Sequence, residues 1–119
     1  MKNENIVLEK SYQFALRTVK LYKFLTEKKE YILSKQILRS GTSIGANLEE
    51  AVGGQSKKDF LAKMFIAYKE TRETRFWIRL LRDSKSITAE EASSLLENCE
   101  ELAKIIGKII QATKSNLKK

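Results

Sequence analysis

The sequence predicts an all-α protein, an antiparallel up-down-up-down four-helix bundle, with residues 1–119 as a single domain. Three observations lead there. The 119 residues include no proline and only five glycines, and are 42% hydrophobic and 32% charged, a composition rich in helix formers. Apolar side chains recur at steps of three and four along four stretches, the period of a helix with one buried face. Only short links separate those stretches, so sequential neighbours pack antiparallel.

The first helix is expected from about residue 5 to 26, with Val7, Phe14, Thr18, Tyr22 and Leu25 on one face. "EKKE" leads into the second, residues 30–52, which carries Leu33, Ile37, Ser40, Ile44, Asn47 and Ala51. The third opens at Ser56, with Asp59 placed for an N-cap, and runs to about residue 82 through Phe60, Met64, Ala67, Thr71, Thr74, Ile78 and Leu81. Thr88 and Glu91 have the spacing of a capping box. The fourth helix follows them through Leu95, Leu96, Cys99, Leu102, Ala103, Ile106 and Ile110 toward a lysine-rich end.

Glycine placement separates two uses. Gly53 and Gly54 fall between the second and third helices, where positive φ would cap a helix. Gly41 and Gly45 lie inside the second helix, four apart. Glycine there is unfavourable relative to alanine and lets another backbone come close. That neighbour is either a helix of the same bundle or one of another subunit, and the pair is assigned to an oligomer interface. The same helix holds a polar stripe of Gln36, Arg39, Ser43, Asn47 and Glu50. A hydrogen-bonded structural network including Thr71 and Thr74 is expected, with a ligand site as the alternative.

The net charge of +8 is uneven. Residues 1–29 carry 7 basic and 3 acidic side chains, residues 30–54 carry 2 and 3, residues 55–85 carry 9 and 4, and residues 86–119 carry 5 and 5. Arg72, Arg75, Arg79 and Arg82 form one stripe on the third helix. Arginine suits phosphate because its fork binds bidentately, so the stripe is the candidate nucleic-acid surface; a solvated face, or one paired with acids, is the alternative. Leu61, Phe65, Tyr68 and Phe76 exceed what a single core face can bury, as do Ile66, Trp77 and Leu80. They point to a homo-oligomer interface.

Function classes can be excluded as well. Histidine is absent and Cys99 stands alone, so Ser-His-Asp, Cys-His and Glu-x-x-His di-iron arrangements cannot form. No phosphate-cradling glycine loop occurs either. The expectation is a protein that is not an enzyme, with no metal and no cofactor. The lone cysteine, the absence of an apolar leader and the lack of any run near ~20 apolar residues point to a cytoplasmic location and no membrane partner.

"QILRSGTSIGANLEEA" followed by "SKKDFLAKMFIAYKETRE" resembles the proteins encoded within intervening sequences of bacterial 23S ribosomal RNA genes. Gln36, Arg39, Ser43-Ile44, Asn47, Glu50, Phe60, Ile66-Ala67 and Glu73 carry the likeness. Ala51 stands where a Gly usually follows the Glu, Lys69-Glu70 replaces a common Gly-Ser, and no proline separates the first two helices. The resemblance implies a four-helix bundle with no catalytic residues and a role near structured RNA. Related accessory proteins of diversity-generating retroelements form pentameric rings whose basic surface engages nucleic acid and a reverse transcriptase. The combined expectation is an oligomeric accessory, pentameric by the resemblance, that binds structured nucleic acid, RNA in particular. The alternative is an assembly scaffold whose basic face meets an acidic protein.

Overall fold

The computed structural model describes residues 2–117 as four helices: α1 Lys2–Glu27, α2 Leu33–Val52, α3 Lys57–Asp83 and α4 Ala89–Leu117. Each packs on its sequence neighbours, and α1 closes the ring against α4. No strand occurs among the described residues, and the bundle measures 52 × 22 × 19 Å. This is the all-α, up-down-up-down bundle expected from the spacing.

One core runs the length of the molecule. Phe14, Leu25, Ile37, Ile44, Leu48, Met64, Ile78, Leu81, Leu95, Leu102 and Ile106 are its largest fully buried side chains, with Val7 at one end. Each comes from the apolar stripe of its helix, and removing those stripes from water supplies the main driving force of folding.

The helix starts follow local chemistry. Ser56 Oγ accepts the backbone N–H of Asp59 at 3.1 Å, and Thr88 Oγ1 accepts that of Glu91 at 3.1 Å. The capping box at Thr88 is only half used, because the Glu91 carboxylate turns to the Arg17 guanidinium at 3.3 Å. Helix α2 begins three residues later than the spacing suggested. The Glu30 carboxylate accepts from the backbone N–H groups of Leu33 at 2.5 Å and Ser34 at 3.1 Å, and so caps the helix from outside it.

Gly53 and Gly54 correct a second expectation. Gly53 has φ −83°, and no described glycine has positive φ. Helix α2 instead tightens, with the Gly54 N–H donating to the Ala51 carbonyl at 3.1 Å. The left-handed positions belong to Lys29 (φ 68°) and Lys85 (φ 64°), just beyond α1 and α3.

Gly41 and Gly45 are also placed differently from the interface assignment. A Cβ on Gly41 would lie 2.4 Å from Thr18 Cγ2, and one on Gly45 would lie 3.3 Å from Ser11 Oγ. Both glycines therefore face α1 of the same chain, and the close approach they permit is intramolecular. Thr18 and Ser11 are buried there, each bonded to a carbonyl of its own helix.

Candidate functional site

The candidate site is built on α3, which presents one flank to α2, another to α4 and an outer face to solvent. On the α2 flank, charges close upon one another. Arg39 pairs with Glu70 at 3.3 Å and with Glu73. The second Glu73 contact comes from Trp77, whose indole N–H donates to Oε2 at 2.9 Å. Lys63 pairs with Glu50 at 2.6 Å. Beneath them, the Thr74 hydroxyl donates to Ser40 Oγ at 2.9 Å, both groups fully buried.

The polar stripe of α2 is thus divided rather than joined in one network. Ser43 bonds to the Ser40 carbonyl, and the Asn47 amide donates to the Ser43 carbonyl at 2.8 Å, both within α2. Arg39 and Glu50 reach α3, whereas the half-buried Gln36 makes no side-chain hydrogen bond among the described residues. Thr74 is the cross-helix member. Thr71 bonds to the Ala67 carbonyl of its own helix.

On the α4 flank the four arginines separate into two kinds. Arg75 Nε donates to Glu100 at 3.2 Å, and Arg82 donates to the adjacent Asp83 at 2.7 Å. That hydrogen bond holds the Asp83 carboxyl below its usual range and raises the Arg82 guanidinium. Arg72 and Arg79 are exposed and form no ion pair among the described residues. The stripe read as one surface is two engaged cations alternating with two available ones.

Helix α4 supplies a feature that the segment charge sum concealed. Its five acids, Glu90, Glu91, Glu97, Glu100 and Glu101, all precede Lys104, and every charged residue from there on is a lysine. Five acids and five lysines summed to zero over residues 86–119, and the zero hid that within α4 all five acids precede its three lysines, Lys104, Lys108 and Lys114. Two open clefts on the α3–α4 seam take opposite characters from it. Arg82, Glu97, Glu100, Glu101 and Lys104 line one, and Tyr68, Arg72, Glu100, Lys104, Lys108 and Gln111 line the other.

The outer face of α3 is apolar in part. Phe65, Ile66, Phe76 and Leu80 are exposed, Phe76 by half its surface. Leu61 and Tyr68, assigned with them to an interface, are half-buried and pack against the core of their own chain. Lys114 lies over the Phe65 ring at 5.0 Å, and Phe76 meets Trp77 edge to face.

Cys99 is buried, and desolvation, reinforced by Glu100, pushes its thiol up to about 12. Such a thiol is inert at neutral pH. Among the described residues, no three His, Cys, Asp or Glu side chains are grouped to hold a metal, and no helix is long and apolar enough to cross a membrane.

The architecture defines an antiparallel four-helix bundle with a polar stripe along α2 and a charge-segregated α4. Residues 3–108 match the family model described as 23S rRNA-intervening sequence protein, and the chain belongs to that family. Among solved structures, a crystal structure of a protein with unknown function from the S23 ribosomal protein family of Bacteroides thetaiotaomicron VPI-5482 is 49% identical. The match has a TM-score of 0.90 and covers 92% of this chain and 98% of that one. No curated protein is significantly similar. The family likeness carried by the α2–α3 residues Gln36 to Glu73 extends over residues 3–108.

Proposed function

We propose that the protein is a non-catalytic, oligomeric accessory that binds structured nucleic acid, RNA in particular, in the cytoplasm. The observation that carries the reading is the surplus of cations on the α3–α4 flank, where Arg72, Lys104 and Lys108 form no ion pair among the described residues and Arg79 acts on Asp83 only through its longer-range charge. Phosphate contacts from such groups supply most sequence-independent affinity. Family membership supports the RNA assignment, since the family takes its description from intervening sequences of 23S rRNA. Self-association, as a pentameric ring by the resemblance, would cover the outer-face residues Phe65, Ile66, Phe76 and Leu80 and multiply the cations available to one RNA.

The same exposed apolar residues favour a second reading, an assembly scaffold whose basic face meets an acidic protein partner. Two measurements decide between them. Light scattering at micromolar concentration is expected to give a multiple of the 13.7 kDa chain mass; the monomer mass would reject the oligomer. Fluorescence anisotropy with a labelled RNA hairpin is expected to show binding that weakens steeply with salt and discriminates little among sequences. Binding to polyglutamate but not to the hairpin would establish the scaffold instead.

A further inference from the structure

We propose that the cleft between Tyr68–Arg72 of α3 and Lys104–Gln111 of α4 is a phosphate-binding notch that receives the RNA backbone, with Gly107 as its floor. The proposal rests on the nucleic-acid reading above and assigns it a place.

Gly107 is the starting observation. A Cβ on Gly41 or Gly45 would press on α1, and one on Gly53 or Gly54 would meet backbone carbonyl oxygens. A Cβ on Gly107 would meet nothing within 4 Å, although Gly107 lies mid-helix on the side that faces α3. Glycine at such a position weakens the helix relative to alanine, and no internal contact requires it. What its missing side chain does is deepen the cleft.

A second local rule is broken at the same place. Lys104 and Lys108 are four apart on one helix face, a spacing at which like charges oppose helix formation. Glu100, four residues before Lys104, offsets part of that repulsion, but no acid stands three or four residues from Lys108. Local rules broken together, with no gain inside the fold, are expected where a site serves a ligand.

The lining then specifies the chemistry. Arg72 offers a guanidinium fork, Lys104 and Lys108 offer ammonium groups, and the Tyr68 hydroxyl and Gln111 amide add neutral donors around an open space of about 370 Å³. The one acid, Glu100, is already bonded by Arg75 at 3.2 Å. Convergent donors with a net positive charge suit a phosphodiester oxygen, and the fork adds bidentate geometry. The neighbouring cleft toward Arg82 contains Glu97, Glu100 and Glu101, which repel phosphate. The RNA backbone is therefore expected to cross α4 at its C-terminal half.

The test uses the full chain and a labelled RNA hairpin. Lys104→Gln with Lys108→Gln should lower affinity about tenfold and reduce the slope of log K against log salt by about two. Gly107→Leu should lower affinity similarly while raising the melting temperature, because the new side chain enters the space the backbone would occupy. Hairpin binding by both variants at the native affinity and slope would overturn the notch while leaving the nucleic-acid reading standing. If the native chain binds no hairpin, that reading falls by itself, and nitrogen-15 NMR with inorganic tripolyphosphate still decides the notch. Shifts centred on the Gly107 and Lys108 amides would establish a free-phosphate site; their absence would overturn it.

Discussion

The two flanks of α3 have similar residue types and different fates. Toward α2, the acids Glu70 and Glu73 meet Arg39, Glu50 meets Lys63, and a buried Thr74–Ser40 bond lies below. Toward α4, Glu100 takes Arg75, and Arg72, Lys104 and Lys108 are left over. An arginine stripe is therefore not a binding surface by virtue of its spacing. The charge of the facing helix, position by position, decides which cations are consumed within the fold and which remain for a partner.

The comparison breaks most visibly under charge reversal. Changing Arg72, Lys104 and Lys108 together to Glu is expected to cost about a hundredfold in RNA affinity at low salt with no change in helicity. Reversing the consumed cations Arg39 and Lys63 should leave binding nearly unaltered. Equal losses on the two flanks, read by anisotropy, would erase the distinction.

The next effect belongs to the sealed flank. Thr74→Val leaves the Ser40 hydroxyl buried without its cross-helix partner, an expected loss of about 1–3 kcal/mol in chemical denaturation, with RNA affinity unchanged. Gly107→Ala on the open flank should act in the opposite direction, gaining roughly 0.5–1 kcal/mol. A loss there would mean that the space above Gly107 is filled. Arg39→Ala should cost no more than about 1 kcal/mol, since its ion pairs lie at the half-exposed rim and Glu73 retains its bond from Trp77.

The smallest effect at neutral pH is that of Cys99. Its thiol binds a proton more tightly folded than unfolded, so its contribution is fully present below an ordinary value of 9.0 and is lost as pH rises toward about 12. Stability should be flat near neutrality and fall through that window in the native chain. Cys99→Ala would remove that component of the pH dependence.

Four helices, their order and most of the core could be read from apolar spacing, because one buried stripe per helix imposes a 3.6-residue period. Helix starts at Ser56 and Thr88 were equally legible, being set by side chains three residues away. The errors arose where a residue's role depends on a distant neighbour. Gly41 and Gly45 required the position of Thr18 and Ser11. Gly53 and Gly54 show a different failure: glycine permits positive φ without demanding it, and the left-handed residues were lysines. The α4 lysines were visible in the sequence from the outset. Summing charge over a whole segment concealed them, and a running sum would have exposed the switch after Glu101.

The central claim is that phosphate contacts fall on the α4 flank of α3 and not on the α2 stripe. Ultraviolet crosslinking of the full chain to an RNA hairpin, followed by peptide mass spectrometry, tests it most directly. Crosslinks should map to Tyr68–Arg72 and Lys104–Gln111, and none to Gln36–Glu50. Crosslinks concentrated on Gln36, Arg39 or Asn47 would contradict the account.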